Sequence, residues 1–158
     1  MIIIESLHHV NLPVTDLERA RKFYQEVLDL TEIDRPPFEF PGAWYQLGDR
    51  QLHLIVQDNS TFRDGKSVDS ADIHFGIRAK SYRETREFLH SKGFHPEADD
   101  EFKKMEEKPQ SVAGWPQLYI MDPDRNVIGN GHLWSVAISK VCGNRQLMIA
   151  IWTTKCAV

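Results

Sequence analysis

The chain of 158 residues holds seven histidines, and two of them sit in matching surroundings. His9 opens the run His9-Val10-Asn11-Leu12-Pro13-Val14. His74 opens His74-Phe75-Gly76-Ile77-Arg78-Ala79, 65 residues later. Neutral imidazole is a good ligand for borderline divalent ions, so two equivalent histidines brought to one cavity would begin a metal centre. A third candidate is His53 in Leu52-His53-Leu54. On a strand the two leucines point to one face and the histidine to the other. A lone strand histidine is more often a hydrogen-bonded structural residue than a ligand. The repeat lifts His9 and His74 above that base; His53 rests on alternation alone. His8 is adjacent to His9 and is assigned the opposite face. His90 and His95 flank a helix end and are assigned surface roles, and His132 carries little weight.

These histidines need elements to position them, and the chain supplies two similar sets. Both histidine runs alternate polar and apolar residues, as half-buried strands do. Each is followed by a helix start, Thr15-Asp16-Leu17-Glu18 and Ser81-Tyr82-Arg83-Glu84, that fits a capping box. Leu17, Ala20, Phe23, Tyr24 and Val27 share one face of the first helix; Tyr82, Thr85, Phe88 and Leu89 share one face of the second. The helices are expected to stop at Leu28-Asp29-Leu30 and at Lys92-Gly93-Phe94, where glycine suits a left-handed residue. Further on, Gly42 to Leu47 matches Ala113 to Leu118, pairing Trp44 with Trp115. Asp49-Arg50-Gln51 matches Asp124-Arg125-Asn126, each leading into an apolar strand. Each unit reads strand, helix, then two or three strands. An α+β fold of two βαβββ modules follows, spanning residues 5–57 and 72–128, with 58–71 as a linker rich in Asp, Ser and Gly.

Composition bounds the function. Apolar residues make up 41% and charged residues 27%, which fits a soluble globular protein. No run approaches the ~18 apolar residues of a membrane span. Met1 to Glu5 lacks the basic start and cleavage site of a signal peptide, so a cytoplasmic location is expected. No basic cluster offers a nucleic-acid surface. The formal charge of −4 is unevenly spread. Residues 1–128 carry all 23 acids and 16 bases, a charge of −7. Residues 129–158 carry Lys140, Arg145 and Lys155 and no acid, a charge of +3, together with both cysteines, Cys142 and Cys156.

The sequence resembles the vicinal oxygen chelate superfamily of glyoxalase I, extradiol dioxygenases, methylmalonyl-CoA epimerase, and fosfomycin- and bleomycin-resistance proteins. The resemblance rests on His8 to Leu17, Phe23-Tyr24, Leu52-His53-Leu54, His74 to Ile77, and Tyr119 to Ile128. It implies a curled mixed eight-stranded sheet around a cavity that holds a divalent ion, Zn, Ni, Mn or Fe. By position it assigns His9 and His74 as ligands. His53 falls where glyoxalases often carry Glu or Gln. It also implies a homodimer, a small-molecule substrate and, for a glyoxalase, glutathione as cosubstrate. The remaining family ligand, usually Glu, falls at Gly129, where the resemblance ends. Glycine cannot bind metal through a side chain or move a proton. An inserted base turns a Glu codon into Gly followed by a codon beginning with A, and the chain reads Gly129-Asn130. Residues 129–158 are accordingly expected to be a frameshifted or cloning-derived tail, the alternative being a genuine extension with a strand over residues 147–152.

The leading expectation is a metal-dependent lyase or isomerase of glyoxalase type, impaired by Gly129. One alternative is an Fe(II) dioxygenase, which would need two His and one carboxylate. Another is a non-catalytic protein that binds a drug or metabolite. Trp44, Trp115 and Phe40 are candidate pocket walls, and Asp99 to Lys108 reads as a solvated loop or edge.

Overall fold

A computed structural model describes residues 1–57 and 63–131. Part of the linker, His132, both cysteines and the alternative strand at 147–152 lie outside these residues. Strand β1 (His9–Val14) is followed by helix α1 (Leu17–Glu26) and strands β2 (Glu32–Ile33), β3 (Gly42–Leu47) and β4 (Arg50–Val56). The second unit repeats this with β5 (His74–Arg78), α2 (Tyr82–Ser91), β6 (Glu106–Lys108), β7 (Gln117–Met121) and β8 (Val127–Gly131). Both units are therefore βαβββ. The first sheet has the order β1-β4-β3-β2 and the second β5-β8-β7-β6. In each, the outer pair β1–β4 or β5–β8 is parallel and the rest antiparallel. Strand β8 continues through Gly129 to Gly131, three residues into the segment that composition sets apart.

The helices begin and end for local reasons. Ser81 caps α2 by accepting the amide of Glu84 at 3.2 Å. The cap of α1 is Asp16, which accepts the amide of Arg19 at 3.0 Å; the expected Thr15 is not the cap. Thr15 is instead committed to Asp124, to which it donates its hydroxyl at 2.6 Å. The chain leaves α1 through Asp29 (φ 54°) and α2 through Gly93 (φ 85°), both left-handed.

The eight strands form two four-stranded sheets, not closed into a barrel, and β1 and β5 each sit at a sheet edge. The core explains the separation. Val14, Leu52 and Leu54 of the first sheet join Leu118, Ile120 and Ile128 of the second in one cluster with Phe23, Tyr24 and Leu89 of the helices. Apolar burial on this scale is the main favourable term holding the two modules together. Both sheets thus spend their helix-bearing faces on a shared core, and their other faces are open. Phe88, expected on the buried stripe of α2, stays 42% exposed because α2 buries only Leu89 fully.

A polar node ties the modules together. Asp122 is fully buried and accepts from the Tyr24 hydroxyl (2.8 Å), the amides of Asp124 and Asn126 (2.9 and 2.8 Å), and Asn126 Nδ2 (2.8 Å). Asn126 Nδ2 also donates to the Pro13 carbonyl at 3.0 Å. Asp124 accepts from the Thr15 amide and hydroxyl and from Arg19 at 2.9 Å. Burial pushes the Asp122 carboxyl up to about 6, opposed by the hydrogen bonds from Asn126 and Tyr24.

Candidate functional site

Alternation sorts the strands into core-facing and open-facing residues. On β1, Val10, Leu12 and Val14 join the core, so His9 and Asn11 lie on the open face. On β4, Leu52, Leu54 and Val56 face the core and Gln51 and His53 do not. His53 is flanked on both sides by rings. It stacks on His9 at 4.3 Å between centroids and on Trp44 at 4.0 Å. Its Nε2 is 2.9 Å from Gln51 Oε1. Burial, followed by the neighbouring His9 and His8, pushes its pKa down to about 4, so the ring is neutral near neutrality. The row continues through Trp44 to Phe38 and Phe40, with the Arg35 guanidinium 5.0 and 5.3 Å from the two phenyl centroids. His8 does not take the opposite face. It precedes the strand, and its Nδ1 lies 2.9 Å from that of His9.

The second sheet presents His74, Gly76 and Arg78 from β5, Gly129 and Gly131 from β8, and Tyr119 from β7. His74 donates from Nδ1 to the Asp72 carbonyl at 2.8 Å, because that oxygen can only accept. The tautomer leaves Nε2 as the free lone pair. The His74 ring meets Tyr119 edge-on at 5.3 Å. A Cβ built on Gly129 would lie 3.3 Å from His74 Cδ2, so a side chain at 129 stands beside His74. His90 bonds Glu107 at 2.8 Å beside His95, away from both histidine faces.

The ladders correct two equivalences. Asn11 pairs with His53 and Trp44 with His53; Gly76 pairs with Gly129 and Tyr119 with Gly129. His53 and Gly129 are therefore structural counterparts, as are Trp44 and Tyr119, rather than Trp44 and Trp115. The turn Asp122 to Asn126 is one residue longer than Leu47 to Arg50, which shifts the register after it. Among the described residues, no group of three His, Cys, Asp or Glu is gathered to hold an ion. His9 and His53 stand together; His74 stands on the other sheet. Sequence reading did not single out Arg78, although its position four residues after His74 on one strand was the available signal.

This arrangement, two βαβββ modules with open faces bearing histidines, defines a two-module glyoxalase-like class. A family described as bleomycin resistance protein-like N-terminal matches residues 7–39. The Arabidopsis thaliana protein named "Probable lactoylglutathione lyase, chloroplastic" is 30% identical over 126 residues, covering 73% of this chain and 32% of that protein. The chain thus spans about a third of the length of that curated relative. A solved structure from Bacillus anthracis, assigned to the glyoxalase family, has a TM-score of 0.65 at 20% identity, covering 84% of this chain and 98% of the other. The fosfomycin resistance protein FosX of Listeria monocytogenes gives 0.62 at 17%, covering 84% and 97%. Lactoylglutathione lyase of Agrobacterium tumefaciens gives 0.59 at 18%, covering 82% and 95%. The family match over residues 7–39, the sequence relative and the shared fold together indicate the vicinal oxygen chelate superfamily. Among the described residues no helix is long and apolar enough to cross a membrane.

Proposed function

We propose that the protein is a glyoxalase-type metal-binding lyase or isomerase for a small substrate with neighbouring oxygens. The observation that carries the reading is the pair of histidine faces, His9 with His53 on one sheet and His74 beside position 129 on the other. Imidazole donors suit Zn, Ni, Mn or Fe in kind. In number they fall short within one chain, since no three are gathered among the described residues. The reading therefore makes the protein a homodimer in which the first open face of one copy meets the second open face of another. His9 and His53 would hold the ion together with His74 of the partner subunit.

A bound ion would supply Lewis-acid stabilisation of charge on neighbouring substrate oxygens. The chain's own part is orientation. His53 is held neutral between His9 and Trp44, and the Asp72 carbonyl fixes the tautomer of His74. Position 129 offers no carboxylate to move a proton, so turnover by this chain is expected to be low. Support comes from the lactoylglutathione lyase relative, and from a FosX variant solved with Mn(II) and a dihydroxypropylphosphonic acid. Glutathione is the cosubstrate that the glyoxalase reading implies, in a cytoplasmic setting. An Fe(II) dioxygenase would use the same histidines but needs the carboxylate that Gly129 removes. The non-catalytic binding reading has one observation in its favour, the ring row that runs from buried His53 through half-buried Trp44 to exposed Phe38 and Phe40.

Metal analysis tests the proposal. About one ion per chain is expected, with loss in His9→Ala and in His74→Ala. Mixing those two variants after unfolding and refolding together should restore about a quarter of the sites, because about half of the dimers are mixed and each mixed dimer rebuilds one of its two sites. Unchanged metal content in both single variants would sink the reading.

A further inference from the structure

The open face of the second sheet carries a cavity of about 440 Å³ with an unusual floor. Gly76 and Gly129 are register partners, and Gly131 follows Gly129 on the same face. Two of these glycines are demanded by the rings above them. A Cβ on Gly129 would come 2.9 Å from Tyr119 Cε1, and one on Gly131 would come 2.9 Å from Trp115 Nε1. The cavity is thus a slot between backbone below and aromatic edges above. Its charge is one-sided. The formal charge on its lining is that of Arg78, and no Asp or Glu lines it. Arg78 is exposed and has no ion pair or side-chain hydrogen bond among the described residues. The nearby Lys108, 5.6 Å from the Tyr119 centroid, is already paired with Glu106 at 3.1 Å.

We infer that this cavity is a binding site for a small organic oxyanion, a carboxylate or phosphonate, held by the Arg78 guanidinium. A planar guanidinium matches the two oxygens of such a group, and a concave site lined by one sign of charge concentrates the opposite sign. The volume falls within the range of small-molecule sites. Glycine at 129 is what makes the slot anion-selective, because a carboxylate there would stand beside His74 and oppose the ligand's charge. The site shares a face with the proposed His74 half-site but requires no metal.

The test uses the full chain stripped of metal, titrated calorimetrically with benzoate and phenylphosphonate, and with benzylamine as the cationic control. At least one anion should bind and benzylamine should not. Arg78→Gln should weaken the anion at least about tenfold, roughly 1.4 kcal/mol. Gly129→Glu should weaken it at least about tenfold more than Gly129→Gln, which has the same bulk without the charge. Arg78→Gln lies on an exposed position, so it tests the site even if both residue-129 variants misfold. Absence of binding by either anion, equal binding of benzylamine, or an unchanged affinity in Arg78→Gln would overturn the inference. Metal content measured on the same preparations before stripping reports separately on the proposed function.

Discussion

At position 129 a single atom decides several things. The missing Cβ leaves room for the Tyr119 ring, whose edge a side chain would meet at 2.9 Å. Restoring Glu at this position is therefore not a free repair. We expect Gly129→Glu to lower stability by about 1–3 kcal/mol through overpacking, read by urea denaturation. Combination with Tyr119→Leu should recover most of that loss. If Gly129→Glu alone keeps the parent stability, the ring contact is not restrictive. The equivalence of His9 and His74 is legible in the sequence because the strands around them alternate alike. The equivalence of His53 and Gly129 is not, because one extra residue in the Asp122 to Asn126 turn displaces the alignment without leaving a mark on composition. Arg78 escapes notice for another reason. A surface arginine is ordinary until the lining of its cavity is known to hold no acid.

At the scale of elements, the two helix starts separate a signal from its use. Both stretches look like capping boxes. Only α2 uses the residue expected, Ser81, while α1 is capped by Asp16 because Thr15 bonds Asp124. The 65-residue offset that pairs His9 with His74 also pairs Asp16 with Ser81, so the repeat was the better guide than the motif. Asp16→Ala and Ser81→Ala should each cost about 1 kcal/mol. Thr15→Val should instead lose a bond between modules, and Asp124→Ala should abolish its effect in a double-mutant cycle. Equal losses from Thr15→Val with and without Asp124 would refute the assignment. The strands were legible from their period of two. The division into two sheets was not, because periodicity identifies a strand's faces but not the neighbour at its edge.

Over the whole molecule, the buried node around Asp122 is one contributor to how stability depends on pH. The folded carboxyl titrates near 6, above its ordinary 3.8. The folded state therefore holds this proton more tightly than the unfolded chain does. The contribution of the group is complete below about 4 and is lost as pH rises through 6. Asp122→Asn cannot titrate, so its stability relative to the parent should improve as pH climbs from 4 to 7. Denaturation at several pH values in this window reads the difference, and parallel curves would show that Asp122 does not titrate there. Tyr24→Phe removes one donor to a buried acid and should cost about 2 kcal/mol near neutrality. The bonds of this node between modules were not legible from motif spacing, since their partners lie 98 to 113 residues apart.

The node also breaks the symmetry of the duplication. The ladders make Leu47 the counterpart of Asp122, and the 65-residue offset makes Leu89 the counterpart of Tyr24. The reciprocal bond has neither its acceptor nor its donor. Asp49, in the corresponding turn, is solvent-facing and paired with Arg50. Two modules of one pattern are thus bolted at one end alone. An exchange of the two modules in chain order would keep every strand and helix but could not regenerate the bolt from the other side. The duplicated halves have become a left and a right hand, no longer interchangeable parts.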